Sequence, residues 1–157
     1  MANQTINVAY TSDDWRGVAL SNFSLSPFLL DGVLLASIEG FIQGIKFPEG
    51  HPARARAFAS TAWQAKECGQ GADKVHVYWG PTPIAFGTTA HHQLVERALR
   101  AKFEQNQGLR HVLRSTQGLD ILHQTGEGAE PALTSIPAAE FCRILTEIRS
   151  GLLVDQA

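Results

Sequence analysis

A chain of 157 residues suits one domain built around one hydrophobic core, and 44% hydrophobic against 18% charged residues excludes global disorder. Thirteen basic and fifteen acidic side chains leave a formal charge of -2, so no global basic field exists to hold nucleic acid non-specifically. Cys68 and Cys142 belong to no CxxC pair, which argues for reduced thiols over a disulfide framework or a zinc ribbon. The leading MANQTINVAY has neither a basic leader nor an apolar h-region, and no apolar run reaches membrane-spanning length. A cytoplasmic protein with no membrane partner is expected.

Thr5–Tyr10 alternates modestly and predicts a first strand. Phe28–Leu35 reads as a hairpin, because Asp31-Gly32 takes the positive φ angles of a tight turn. A short helix is expected over Ser37–Lys46. Pro52 suits the first turn of another helix, for which Gly69 after Cys68 is the stop. Lys74–Trp79 alternates Val75, Val77 and Trp79 against His76 and Tyr78, the period of a half-buried strand. From Thr89 the chain turns helical, with Leu94, Val95, Ala98 and Leu99 as its apolar stripe. A helix over Leu109–Thr116 and a strand over Leu119–His123 follow. Gly126–Ser135 reads as a surface loop, and a last helix from Pro137 carries Phe141, Ile144, Leu145, Ile148 and Leu152 on one face. The fold expected is α+β: one mainly helical domain over residues 1–157 around a small β-sheet.

The segment richest in chemistry is Ser37–Lys46. On a helix Glu39, Gln43 and Lys46 stand at i, i+4 and i+7 and share a face, opposite Ile38, Phe41, Ile42 and Ile45. A carboxylate, an amide and an amine in line can hold a polar ligand; a solvated face with a Glu–Lys pair is the plainer reading. Gly40 and Gly44 oppose the plainer one, since each costs ~1 kcal/mol relative to alanine in a helix. They point to close approach by a ligand or another backbone.

Four segments then combine. Leu20-Ser21-Asn22-Phe23 with the Asp31-Gly32 hairpin, Ser37-Ile38-Glu39 with Gln43 and Lys46-Phe47, Ala98–Asn106 (ALRAKFEQN), and Ile144–Arg149 follow one another in order. Together they resemble the NADAR/YbiA-like domains, over about residues 20–150. The resemblance departs from that pattern in two places. Gly40 stands where those domains usually carry a histidine, and Glu130–Pro137 replaces a DxxWG element.

The resemblance implies an N-glycosidase acting on an ADP-ribose-like or ribosyl-phosphate substrate, such as an ADP-ribosylated nucleobase or DNA, or a ribosylamino intermediate of riboflavin synthesis. Cleaving an N-glycosidic bond builds positive charge at the anomeric carbon, which a nearby carboxylate stabilises. Glu39 and Lys46 are therefore the candidate catalytic residues. Glu39 would stabilise that charge or activate water, and Lys46 would attack the anomeric carbon or bind phosphate. Candidate substrate-binding residues are Asn22, Phe23, Gln43, Trp79 and Lys102. For Lys102, at the edge of the apolar stripe, snorkelling competes with a role as anion ligand. Trp79 is either a base-stacking platform or core. The departures support a second reading, a non-catalytic nucleotide-binding or interaction module. Joint retention of Asn22, Glu39, Gln43, Lys46 and Lys102 favours the enzyme.

Neither a cofactor nor a metal is expected. Six histidines include His91-His92, but adjacent helical residues point about 100° apart, and no HxxxH or HExxH occurs. Activity should accordingly survive prolonged EDTA treatment. Loss on chelation, restored by one divalent ion, would overturn the reading.

Overall fold

The structure, a computed structural model, describes residues 4–154. In chain order its elements are β1 (Thr5–Asn7), α1 (Trp15–Ala19), β2 (Phe28–Leu30), β3 (Val33–Leu35), α2 (Ile38–Gly44), α3 (Pro52–Phe58) and α4 (Ala62–Cys68). There follow β4 (His76–Val77), β5 (Ile84–Ala85), α5 (Thr89–Gln105), α6 (Gln107–Arg114), β6 (Asp120–Leu122) and α7 (Ala138–Val154). The class is α+β, as expected from the sequence. Its strands form three separate pairs: β1 with β6 in parallel, β2 with β3 and β4 with β5 antiparallel. Each pair spans two or three residues per strand, too little to extend into one sheet across the helices.

Every residue of α2 is buried, including its polar ones. Ser37 starts the helix by accepting from Gly40 N at 2.9 Å, and its hydroxyl donates to Ser60 O at 2.8 Å. Gly40 and Gly44 explain how a helix can lie so deep. A Cβ at Gly40 would run into the carbonyl oxygens of Ala57 and Ser60, and one at Gly44 into the Phe58 ring. The close approach foreseen at these glycines is made by α3 and the residues after it.

Pro52 opens α3 and Gly69 closes α4, but the expected single helix between them is broken. Ala62 adopts a left-handed φ of 52°, which an L-residue other than glycine visits only at a cost of roughly 1–2 kcal/mol. Its N–H then donates to Phe23 O at 3.1 Å, so the break docks α4 against the Asn22–Phe23 turn. Asp31 and Gly32, at φ 49° and 80°, make the hairpin turn. The Lys74–Trp79 strand shrinks to His76–Val77, and of its three supposed inward residues only Val77 is fully buried. The short α1, capped by the Asp14 carboxylate, was not foreseen.

The apolar stripe of α5 packs against both α2 and α7 in the core. Leu94, Val95, Ala98, Leu99, Phe141, Ile144 and Leu145 are all buried there. Arg149 of α7 is buried as well, and one guanidinium nitrogen donates to Thr116 O, Thr116 Oγ1 and Leu119 O at 2.9–3.0 Å. That contact ties the last helix to the turn leading into β6.

The far end of α5 grips the segment before the hairpin. Lys102 Nζ, fully buried, donates to Leu20 O at 3.3 Å and Ser21 O at 3.2 Å. Gln105 exchanges two hydrogen bonds with the backbone of Leu29, at 2.7 and 2.8 Å, and Asn106 donates to Pro27 O at 3.1 Å. Burial pushes the Lys102 ammonium down to about 7. The unfolded chain keeps that proton to near pH ~10.4, so between these values unfolding takes up a proton and stability rises with pH. Denaturant midpoints measured from pH 7 to 9.5 should climb in the native protein. Most of that climb should vanish in Lys102→Met, and a variant that keeps it would reject the assignment.

Candidate functional site

A cleft of about 350 Å³ runs between the residues after β1, the Ser21–Phe23 turn, α2 and the loop before α7. Glu39, Ile42 and Gln43 of α2, with Lys46 just past its C-terminal end, form one wall. The facing surface carries Ala9–Thr11, His123 and Thr125, which the parallel β1–β6 pair brings side by side. The surface loop Gly126–Ser135, largely exposed as expected, also lines the cleft, contributing Glu127, Pro131, Leu133, Thr134 and Ser135. Its Glu127 is ion-paired with Lys66, and Thr134 O lies 2.9 Å from His92 Nε2.

The polar ladder read from the sequence is present and internally bonded. Lys46 Nζ donates to Gln43 Oε1 at 2.8 Å, and Gln43 Nε2 donates to Glu39 Oε1 at 2.8 Å. A neutral amide thus joins ammonium to carboxylate. Burial raises the Glu39 pKa above the ordinary carboxylate range, opposed by the Gln43 hydrogen bond and then by the Lys46 charge. Burial also lowers the Lys46 pKa, reinforced by the neighbouring Lys74 and opposed by Glu39. A carboxylate and an amine shifted toward each other are suited to acid–base or nucleophilic work. With Lys74 also on the cleft, the same wall can receive an anion.

Asn22 and Phe23 join this ladder in the cleft, and Glu39 N donates to Asn22 O at 2.9 Å. Phe23 stands in an aromatic trio that the sequence reading missed. Its ring centroid lies 5.5 Å from Tyr10 and 5.2 Å from Trp63. Tyr10 and Trp63 are each half exposed, so these rings offer a stacking surface at the mouth. Trp63 follows the left-handed Ala62, a conformation no local pattern announces.

Trp79 and Lys102 are not among the residues that line the cleft. Trp79 packs edge-on against Phe41, 5.3 Å between centroids, its Nε1 donates to Asp31 Oδ2, and Arg54 stacks over its ring. It is a corner post between hairpin and core. Lys102 neither snorkels nor reaches the cleft, since its ammonium is bound to the carbonyls beneath the Ser21–Asn22 turn. Among the described residues no three His, Cys, Asp or Glu side chains gather as a metal set. Nor is any helix there long and apolar enough to cross a membrane.

Comparison with known proteins finds relatives of three kinds: a family model, a curated sequence and solved structures. A family model described as "Bacteriophage protein GP30.3" matches residues 14–150. The "Uncharacterized 17.1 kDa protein in Gp30-rIII intergenic region" of Enterobacteria phage T4 is 30% identical over 142 residues, covering 88% of this chain and 93% of that protein. The NMR structure of the E. coli protein YbiA superposes with a TM-score of 0.66 at 24% identity, covering 99% of this chain and 89% of that one. This last likeness establishes the fold.

Gly69 governs how Gln43 can sit. Its own φ of -80° suits any residue, yet a Cβ there would overlap Gln43 Oε1. Gly69→Ala should therefore destabilise by roughly 1–3 kcal/mol, the usual cost of overpacking. In a Gln43→Ala background most of that cost should disappear, as a double-mutant cycle would record. Additive costs would show that the two residues do not meet.

Proposed function

The chain belongs to the bacteriophage protein GP30.3 family, a branch of the NADAR/YbiA-like domains, and we propose that it hydrolyses the N-glycosidic bond of an ADP-ribose-like or ribosyl-phosphate substrate. The NADAR family is broadly associated with hydrolase activity. The observation that carries the reading here is the buried Glu39 carboxylate on the cleft wall, joined through Gln43 to Lys46.

In this reading the anomeric carbon meets Glu39 as the glycosidic bond breaks: the bonding pair leaves with the base, which takes up a proton, and water adds to the anomeric carbon and gives one up. A negative charge in a poorly solvated place stabilises the developing oxocarbenium far better than the same charge in water. Gln43 keeps the carboxylate oriented. Lys46 and Lys74 take the substrate's phosphate, while the base or a second ring stacks on Tyr10, Phe23 and Trp63. In the variant favoured by its lowered pKa, the neutral Lys46 amine attacks the anomeric carbon as the base departs with the bonding pair, and water then cleaves the sugar–lysine bond to free both.

The test is incubation with ADP-ribosylated DNA, NAD and ribosylamino intermediates, with mass spectrometry for released base or sugar. On a substrate so found, Glu39→Gln should lower kcat on the order of 10²-fold or more with little change in KM. Its melting temperature at pH 7 should hold or rise. A carboxyl whose pKa is raised by folding weakens the fold once ionised, so removing its charge relieves that penalty. The acid limb of kcat/KM should lie above the ordinary glutamate value and move further up in Gln43→Leu, which lacks the hydrogen bond holding it down. Native turnover in Glu39→Gln sinks the assignment. Full loss in Lys46→Ala beside mere slowing in Glu39→Gln makes the lysine the nucleophile.

A further inference from the structure

Two cleft-lining side chains end in polar atoms with no partner among the described residues: Ser21 Oγ and Asn22 Oδ1. Both residues are more than nine-tenths buried, at 2% and 9% exposure. A buried polar atom left unbonded weakens the fold, and most such atoms in native proteins are satisfied. Here the carbonyls of the turn are engaged while Ser21 Oγ and Asn22 Oδ1 stay idle. Lys102 Nζ holds Leu20 O and Ser21 O, and Glu39 N donates to Asn22 O at 2.9 Å. The turn is thus fixed beside the Glu39 carboxylate with two hydrogen-bonding groups in reserve.

The chemistry of those groups narrows what they await. An amide oxygen only accepts, a serine hydroxyl accepts and donates, and the neighbouring carboxylate accepts when ionised. An ionised phosphate brings acceptors alone and would meet Asn22 Oδ1 and Glu39 oxygen to oxygen. A cationic ligand would face Lys46, Lys66 and Lys74, which line the same cleft. Adjacent neutral hydroxyls satisfy the set. We propose that Ser21 and Asn22 form the specificity corner of the cleft, binding the vicinal hydroxyls of a pentose and selecting ribosyl over 2-deoxyribosyl ligands. That the hydroxyls belong to a pentose, and that the bound sugar is then cleaved, rest on the N-glycosidase reading; the binding of adjacent hydroxyls does not.

A site built to bond a hydroxyl discriminates strongly against the analogue that lacks it. The direct test is the melting temperature of the whole chain with D-ribose 5-phosphate and, separately, 2-deoxy-D-ribose 5-phosphate at matched millimolar concentrations. The ribose compound should raise it and the deoxy compound should not. Asn22→Ala and Ser21→Ala should erase the difference while leaving the unliganded melting temperature equal or higher, because each removes an unbonded buried atom. Equal response to the two sugars, no response to either, or discrimination undiminished in both variants would overturn the proposal. With a cleavable substrate, a ribosyl preference on the order of 10²-fold in kcat/KM is expected. Hydrolysis of both sugars at one rate defeats the corner and keeps the hydrolase. Sugar discrimination without any hydrolysis defeats the hydrolase and keeps the corner.

Discussion

The ammonium of Lys102 lies wholly inside the protein, bound to the carbonyls of Leu20 and Ser21, and the placement of the cleft follows from that contact. Burying an ammonium is costly, which is why its pKa falls, and two carbonyl dipoles offset only part of the cost. In return the turn above it has one position. Asn22 O takes the Glu39 N–H, and Phe23 O takes the Ala62 N–H. One side of the turn is thereby joined to α2 and the other to α4. Gln105 and Asn106, one helical turn on from Lys102, fix the next stretch through Leu29 and Pro27. Removing the lysine would leave the polar ladder intact on α2 but free the surface it faces.

Opposite pKa shifts at Glu39 and Lys46 share a cause, burial, and their separation by Gln43 keeps them from cancelling as a direct ion pair. A direct pair would hold both groups firmly charged and occupied with each other. An intervening amide orients each group with a single hydrogen bond and leaves it room to act on a third partner. The glycine at 69 is part of this arrangement, because it alone leaves space for the Gln43 carboxamide.

Local pattern made the Asp31-Gly32 hairpin legible, along with the stripes of α5 and α7 and the shared face of Glu39, Gln43 and Lys46. Each depends on residues a few positions apart. What escaped depends on partners far along the chain. Lys102 sits within an apolar stripe, and spacing alone says neither that its ammonium turns inward nor that Leu20 and Ser21 await it. Trp79 and Trp63 are equally suited to stacking by composition. Which one faces the cleft is decided by Asp31 and Arg54 holding Trp79, and by the left-handed Ala62 presenting Trp63. The strand over Lys74–Trp79 came out short because alternation gives a strand its faces but not its neighbour, and β5 offers only two residues to pair with.

The parallel pairing of β1 with β6 sets Thr5 beside Asp120 and Asn7 beside Leu122. His123 Nδ1 then lies 2.7 Å from Val8 O, extending the same seam into the cleft wall. Contacts between residues so distant in the chain close a large loop, and such contacts form late and slow the search for the native state. During synthesis the first strand waits for more than a hundred residues to follow before its partner exists. The residues of α2, the hairpin and α3 are made within one stretch of chain, but the wall carrying Ala9–Thr11 and His123 joins its two ends. The cleft is therefore complete only once both ends of the chain have been made.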